Sequence, residues 1–473
     1  MNRLEKIDPK CNENSTFGGV REKKRSFISL IHVISDESHL TAWEKILKAS
    51  NEIDRFELRL DQMKKGSGLA LMKLCFDHQI PTLYKLVEED LDFLLYPPDF
   101  IDLPHTVSET FLASVKKRLK KTKIILSYHN YSSTPENIDR IYHQIERKKP
   151  DFVKIACFAS SITDVFRLIA LQKKNVIAIP MGLKGQFGRL MSPFFNAPFL
   201  YSSDEGSPEI GLFKTQEVLN TFQVKRLESQ AEFFALIGTP IEKSPSPNFH
   251  NASFANRGEN KLFLKIDVQK EELTEFFSFH SFFKGLAVTI PHKREIRKHL
   301  KGIDPIAEKI GAVNTLHGGI GYNTDGYGAL EAIEKVLPVQ AKKILILGDG
   351  GCASAIAYEA KKRGAEVRML KRRLLDRFKE YAYDILVNAT PVGSVEKEIM
   401  VPANELQRNK VVFDAVISTE PTQLLKEAKK KGCITISGFE MFLEQAHLQQ
   451  AIWKAEGPIE NERMYQLLPS DTL

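Results

Sequence analysis

The feature that most restricts this fold is an alternation. Between residue 26 and about residue 230, short β-rich runs recur with helical stretches between them. The runs are SFISLIHVI (26–34), RFELRL (55–60), IPTLYKL (80–86), LDFLLY (91–96), KIILSYH (123–129), DFVKIACF (151–158), NVIAIPMG (175–182) and APFLYSS (197–203). Two of the stretches between them carry helix-start signals: Thr134 before Pro135 in one, and Ser161 with Asp164 three residues on in the other. Eight strands joined by crossovers, the fourth very short, predict a (β/α)8 barrel. In that architecture, polar residues near the C-terminal strand ends mark the candidate site.

The polar residues at those ends suggest a chemistry. Glu57 and Arg59 are two apart, so they share a strand face that Leu58 and Leu60 do not. His129 ends SYH, Lys154 lies inside FVKIACF, and Arg189 follows in GLKGQFGRL. Each alone has a plain structural reading: an internal ion pair, a satisfied core histidine, a lysine reaching for water. Together at one barrel mouth they point to imine formation. A lysine desolvated among apolar neighbours is expected to have a lowered pKa and to attack a ketone as the free amine. A nearby histidine would move the proton next to the imine, with Glu57 orienting it, and Arg189 would grip a substrate carboxylate.

ELRLD (57–61), SYHNYSSTP (127–135), VKIA (153–156) and the glycine-spaced stretch ending at Arg189 resemble type I 3-dehydroquinate dehydratases. The resemblance covers roughly residues 26–225. It implies Lys154 as the imine lysine, His129 as acid/base, Glu57 as its partner, and Arg59 and Arg189 as substrate ligands. The family's arginine in T-x-R before E-G-G is absent from TLYKLVEED, where Tyr84 takes that place with Lys85 beside it. Its A-P-G-Q closing loop becomes EGSPEIG (205–211), in which Ser207 is the expected substrate contact.

A boundary is expected near 225–234, where a fresh strand, FFALIG, begins. Ser244 and Ser246 follow in a polar loop, then GLAVTIPHK (285–293), IGAVNTL (310–316) and GYNTDGYG (321–328). Taken singly, Lys293 reads as a surface lysine, Asn314 as an Asx-turn and Asp325 as a cap. KKILILGDGGCASAIAYEAKKRGAEVRMLKRR (342–373) is more informative, because strand, glycine turn, helix and strand follow in the order of a dinucleotide site. Gly348, Gly350 and Gly351 let the backbone approach a pyrophosphate on the helix N-terminus, and Ala353 takes the last motif position. Lys371, Arg372 and Arg373 end the second strand where an NAD site would want an acid, and such cations suit the 2′-phosphate of NADP. Cys352, Asn388, Thr390 and Gly438 complete the candidate NADP(H)-binding set.

These motifs resemble shikimate dehydrogenases over about residues 232–470. The resemblance implies that Ser244 and Ser246 hold a shikimate carboxylate. It makes Lys293 and Asp325 the catalytic pair, and Thr289, Asn314 and Gln445 the ligands of ring hydroxyls. Ala287 and Ile417 depart from that family's usual asparagine and tyrosine, and Asp349 puts a negative charge in the phosphate turn.

Composition bounds the rest. The chain has 473 residues, 27% of them charged, with a formal net charge of +7, enough length for two or three domains. Its basic runs lack interleaved aromatics, so nucleic acid is not an expected partner. Five cysteines without a CxxC pair argue against disulfides or zinc and for a reducing, cytoplasmic setting. No stretch has membrane-spanning length, and residues 1–25 read as a polar extension. The expected layout is that extension, a barrel over 26–228, a substrate domain over 232–335, an NADP-binding domain over 336–437 and C-terminal helices over 438–473. The resemblances match the order of bifunctional dehydratase–dehydrogenase fusions, with 3-dehydroquinate, 3-dehydroshikimate and shikimate as small-molecule partners. The rivals are a regulatory derivative with catalysis lost and a dehydrogenase half preferring quinate and NAD. Retention of Lys154, His129, Lys293 and Asp325 argues against the first.

Overall fold

The computed structural model describes residues 27–36, 38–86, 90–371, 378, 380–393, 401–418 and 420–455. The expected N-terminal extension, Arg372 and Arg373 lie outside the described residues. The chain divides into two compact units, residues 1–232 with 251–262, and residues 233–250 with 263–473. Among the described residues, no helix is long and apolar enough to cross a membrane.

The first unit is built on parallel strands β1 (Leu30–Ile34), β2 (Arg55–Arg59), β3 (Thr82–Lys85), β4 (Phe100–Pro104), β5 (Lys123–Asn130), β6 (Phe152–Phe158), β7 (Val176–Met181), β8 (Leu200–Ser203) and the two-residue β9 (Phe213–Lys214). Their order is β7-β6-β5-β4-β3-β2-β1-β8-β9, which is the neighbour order of a (β/α)8 barrel without ladder pairing between β7 and β8. The interior nevertheless spans that seam. Ile31, Leu83, Ile125 and Ile177, from the alternate strands β1, β3, β5 and β7, pack with Phe199 and Tyr201 in one buried cluster. Layers drawn from alternate strands are how such a barrel fills its centre.

Two sequence expectations change here. The fourth strand is FIDLP, residues 100–104, and LDFLLY instead contains the 3-10 turn Leu91–Leu94. Thr134 does not cap its helix, which begins at Ile138; its hydroxyl donates to Phe158 O at 2.9 Å. Ser161 does cap, accepting from Asp164 N at 3.1 Å.

The second unit holds two sheets. One has order β11-β10-β12-β14-β15-β13, from β10 (Glu232–Gly238), β11 (Lys261–Asp267), β12 (Phe283–Val288), β13 (Gly302–Ile303), β14 (Thr315–His317) and β15 (Ile320–Tyr322). The other is parallel, order β17-β16-β18-β19-β20, from β16 (Lys343–Leu347), β17 (Glu366–Leu370), β18 (Ile385–Asn388), β19 (Val411–Asp414) and β20 (Ile434–Ser437). The chain order reverses between β16 and β18, and ligands of open parallel sheets bind outside the strand C-termini at such a switch point. The helix Gly438–Lys454 follows β20 and returns to the mixed sheet, where Trp453 Nε1 donates to Leu316 O at 3.0 Å.

Candidate functional site

In the barrel, period-two alternation decides which side chains face inward. Leu83 and Phe100 belong to the inner core, so the residues two further on, Lys85 and Asp102, face inward above them. By the same rule Ser127 and His129 follow Ile125, and Lys154 follows Phe152. The result is a charged layer over an apolar floor.

Lys154 Nζ donates to Asp102 Oδ2 at 2.9 Å, lies 3.5 Å from Glu57 Oε2, and sits 4.5 Å from the centroid of the Tyr201 ring. Lys85 Nζ donates to the other oxygen, Asp102 Oδ1, at 2.8 Å and to Ser127 Oγ at 2.7 Å. None of Glu57, Lys85, Asp102 and Lys154 is more than 8% exposed. Two cations and two carboxylates balance, which is the condition for keeping four charges out of water.

The electrostatics correct the expected state of Lys154. Burial alone would lower its pKa, but the carboxylates of Asp102 and Glu57 outweigh burial and hold it well above the ordinary lysine range. Lys85 goes the other way: burial pushes it down, Lys154 adds to that, and Asp102 only partly offsets it. Asp102 is held well below the usual carboxylate range, because the two ammoniums outweigh its burial. His129 is lowered to about 3, by burial first and then by the charges of Lys85 and Lys154. Its imidazole is therefore neutral and stacks on Tyr131 with centroids 6.0 Å apart.

Other expected roles shift too. Glu57 is engaged with Lys154, and no hydrogen bond joins it to His129 among the described residues. Arg59 is clamped by Asp61 through bonds of 2.9 and 2.7 Å. Lys85, rather than Tyr84, supplies the inward cation of β3; Tyr84 is buried on the opposite strand face. Arg189 donates from Nε to Pro180 O at 3.0 Å and from Nη2 to Ile210 O. It is 7% exposed, and burial lowers its pKa to about 10, offset only in part by the Tyr201 phenol. Ser207 donates to Glu209 Oε2 at 3.0 Å. The loop around it closes tightly: Gly211 has φ +70°, and an added Cβ would lie 2.4 Å from Gly182 O.

Asp102 is the residue sequence reasoning missed. The signal was present in FIDLP, whose alternation places Asp102 on the face of Phe100. Assigning the fourth strand to LDFLLY left it in a loop.

In the second unit, β10 and β12 are parallel neighbours, so the turns after them open at the same sheet end. The turn after β10 carries Ser244, whose Oγ donates to Ser246 Oγ at 3.0 Å. The turn after β12 carries Thr289 and Lys293. Lys293 Nζ donates to Asp325 Oδ2 at 2.5 Å, and Asn314 Nδ2 donates to Asp325 Oδ1 at 2.9 Å. Asn314 Nδ2 also donates to Thr324 Oγ1 at 2.8 Å, and Thr324 Oγ1 donates to Gln445 Oε1 at 3.2 Å. The four candidate residues Lys293, Asn314, Asp325 and Gln445 thus converge in one polar network. Burial opposes the charge on Lys293, but Asp325 outweighs it and the pKa is raised. His292, which sequence reasoning passed over, is fully buried and donates from Nε2 to Val268 O at 2.7 Å, pinning the lysine-bearing turn.

The glycine turn fits a dinucleotide. Gly348 has φ +117°, an added Cβ on Gly350 would meet nothing within 4 Å, and Gly351 opens a helix of 12 residues ending at Lys362. Donors at that N-terminus and open space over Gly350 are what a pyrophosphate needs. A Cβ on Gly351 would lie 3.4 Å from Lys293 Cβ, so this glycine lets the helix start approach the lysine stem. Ala353 is fully buried behind the turn, and Lys371 is exposed beyond β17. Cys352 stays a thiol, its pKa pushed up to about 12 by burial and by Asp325.

Asn388 and Thr390 shape the loop after β18 instead of projecting from it. Asn388 Nδ2 donates to Val392 O at 3.0 Å and Asp414 Oδ1 at 2.9 Å, and its Oδ1 accepts from Thr390 Oγ1 at 2.7 Å. Thr422 Oγ1 donates to Asp414 Oδ2 at 2.6 Å, closing a network that the sequence did not suggest. An added Cβ on Gly438 would lie 2.5 Å from Val416 O, so its place is one of close backbone approach.

Comparison with known proteins agrees with both halves. The family model for type I 3-dehydroquinase matches residues 77–228, and the model for the shikimate dehydrogenase substrate binding domain matches residues 236–316. The bifunctional 3-dehydroquinate dehydratase/shikimate dehydrogenase of Arabidopsis thaliana chloroplasts is 31% identical over 489 residues, covering 88% of this chain and 80% of that protein. The shikimate biosynthesis protein AroDE of Chlamydia pneumoniae is 29% identical over 456 residues, covering 90% of this chain and 95% of that protein. A shikimate dehydrogenase (NADP(+)) of Methanocaldococcus jannaschii is 36% identical over 266 residues, covering 49% of this chain and 94% of that protein.

Proposed function

The chain belongs to the family of bifunctional 3-dehydroquinate dehydratase/shikimate dehydrogenases, and from that premise we propose how its own residues carry out the two reactions. The first unit converts 3-dehydroquinate to 3-dehydroshikimate as a lyase, and the second reduces 3-dehydroshikimate to shikimate as an NADP-dependent oxidoreductase. The observation that carries the first assignment is a lysine flanked by two carboxylates inside a barrel that also buries a guanidinium paired with no carboxylate among the described residues.

In the dehydratase, Arg189 takes the substrate carboxylate. A buried guanidinium whose hydrogen bonds among the described residues go to two carbonyls gains most from an arriving anion. Lys154 attacks the ketone and becomes an iminium, which keeps the positive charge where the ammonium was. Asp102 and Glu57 therefore hold the iminium with the geometry they already have, without reorganisation. His129, neutral because of its surroundings, removes the proton next to the iminium carbon. The same imidazole then returns that proton to the departing hydroxyl. Glu57, Arg59 and Ser207 complete the substrate contacts.

In the dehydrogenase, Ser244 and Ser246 bind the carboxylate of the ring, and Thr289, Asn314 and Gln445 bind its hydroxyls. When bound, NADPH supplies a hydride to the ring ketone. Gly348, Gly350 and Gly351 would hold its pyrophosphate at the helix N-terminus. Lys293 faces the oxygen that becomes an alkoxide, stabilises its charge and gives it a proton, while Asp325 keeps the lysine charged and in place.

The test supplies 3-dehydroquinate and NADPH to the full chain and follows nicotinamide absorbance. Oxidation of NADPH with 3-dehydroquinate as sole substrate requires both halves; its absence, with 3-dehydroshikimate still reduced, would refute the dehydratase assignment. Borohydride added with substrate should place the mass adduct on the peptide containing Lys154.

A further inference from the structure

The barrel interior is layered, and the layers single out one residue that the imine chemistry has not used. On or beside the even-numbered strands, Arg55, Phe100, Phe152 and Phe199 form a lower layer. Arg55 stands 4.6 Å over the Phe100 ring, and the three phenylalanine rings have centroids 5.1, 5.7 and 6.2 Å apart. Two residues further along each strand come Glu57, Asp102, Lys154 and Tyr201. Alternation returns them to the same inner face, one side chain from each alternate strand.

Three of these four are bound to one another, since Lys154 Nζ lies 2.9 Å from Asp102 Oδ2 and 3.5 Å from Glu57 Oε2. Tyr201 is the exception. Its Oη is buried and hydrogen-bonds no group among the described residues. Lys154 lies over its ring, with Nζ 4.5 Å from the centroid. A buried hydroxyl without a partner is costly, and a ligand that brings an acceptor removes that cost. Burial also pushes the phenol well above its ordinary pKa, so it keeps its proton and can donate.

We infer that Tyr201 is a substrate ligand of the dehydratase, its hydroxyl donating to the substrate carboxylate alongside Arg189. The inference rests on the imine reading of the barrel, with Arg189 as the carboxylate's anchor.

Position selects the carboxylate. In the layer of four, Lys154 from β6 has Asp102 from β4 on one side and Tyr201 from β8 on the other. Tyr201 therefore stands on the flank of β7, and the helix Gln186–Met191 that follows β7 carries Arg189. Tyr201 and Arg189 line the same small cavity at the β7–β8 seam, together with Ile177, Ile179 and Phe199. In 3-dehydroquinate a single ring carbon, the one that loses its proton, separates the ketone carbon from the carbon bearing the carboxylate. A donor set between Lys154 and Arg189 thus meets the carboxylate once the ketone is at the lysine.

The carboxylate also has room for it. Arg189 commits Nε and Nη2 to the carbonyls of Pro180 and Ile210. Ser207, the expected loop contact, donates to Glu209 Oε2 at 3.0 Å. A carboxylate offers about four acceptor sites, more than one arginine edge fills.

The test is Tyr201→Phe in the full chain, which deletes the hydroxyl and keeps the ring over Lys154. Dehydration of 3-dehydroquinate is followed by absorbance of the conjugated product, with NADPH-dependent reduction of 3-dehydroshikimate as the control on the other half. KM for 3-dehydroquinate should rise roughly 10- to 100-fold, the scale of a hydrogen bond to a charged group, while kcat changes far less. Urea unfolding should find the variant as stable as the parent or more so, because the lost hydroxyl has no partner in the free protein. A structural hydroxyl would give the reverse: lower stability, or failure to fold by circular dichroism, with parent-like KM in whatever folds. That result overturns the assignment and leaves the imine intact. A fall in kcat at unchanged KM also overturns it, because it puts the hydroxyl at the reacting atoms instead of the carboxylate. A parent that dehydrates no 3-dehydroquinate refutes the underlying reading itself.

Discussion

Replacing Asp102 by asparagine removes the one carboxylate that both barrel lysines share, while keeping its size and its place in the strand. At an effective dielectric near 20, unit charges 2.9 Å apart attract by about 6 kcal/mol. Desolvation cancels part of that, and breaking a buried pair by removing one partner costs roughly 3–5 kcal/mol. Lys154 keeps Glu57 at 3.5 Å, whereas Lys85 keeps only Ser127, so the loss falls on both amines. With Asp102 gone, Lys154 in Asp102→Asn should titrate lower than in the parent. The sign for stability follows from the raised folded-state value. The stabilisation by Lys154 is fully present below its unfolded pKa of about 10.4 and is lost as pH rises through the folded one. The variant should therefore be less stable than the parent throughout the neutral range, and the difference should shrink at high pH. Urea unfolding followed through Trp43, in a Trp453→Phe background that silences the other tryptophan, measures this on the barrel. A destabilisation under about 1 kcal/mol at pH 7 would mean that the two ion pairs carry no net energy and would refute the reasoning.

Four further outcomes follow from the same geometry. Lys154→Met should abolish the borohydride adduct and dehydration while NADPH-dependent reduction of 3-dehydroshikimate continues; residual dehydration at the parent rate would exclude an imine at this lysine. Lys293→Met should lower reduction by roughly 10²–10⁴-fold and leave dehydration untouched, read by assaying each half with its own substrate. Because the folded state disfavours protonated His129, down to about pH 3, the unfolded chain binds more protons between its ordinary value of about 6.5 and that point. Barrel stability should decline as pH falls through this window and decline less in His129→Gln, and equal acid sensitivity of the two would contradict the lowered pKa. Gly211→Ala must place a Cβ 2.4 Å from Gly182 O at φ +70°, so the loop should lose its closed position. The expected cost is about 1–3 kcal/mol, seen as a raised KM for 3-dehydroquinate with reduction unchanged.

The sequence laid out most of the barrel because parallel strands in a closed layer must alternate with crossovers, and period two then fixes which residues share a face. Glu57, His129 and Lys154 were legible that way. Asp102 was not, since LDFLLY is more apolar than FIDLP and local hydrophobicity favours the wrong run. Only strand pairing, Asp102 beside Lys85 on one side and Ile125 on the other, selects the shorter segment. The glycine turn was legible because strand, glycines and helix lie within one continuous stretch. Asn388 was named for its place after β18, but its bond to Asp414 joins residues 26 apart and gives it a supporting role.

What the sequence determined by itself was the order of elements and the identity of the groups that do chemistry, because both follow from local periodicity and residue type. The tertiary structure alone decided their protonation. An apolar sequence neighbourhood argues for a lowered lysine pKa, yet Lys154 is raised, because Asp102 and Glu57 reach it from strands 52 and 97 residues away. Coulomb energy depends on distance in space, and the fold is what sets it.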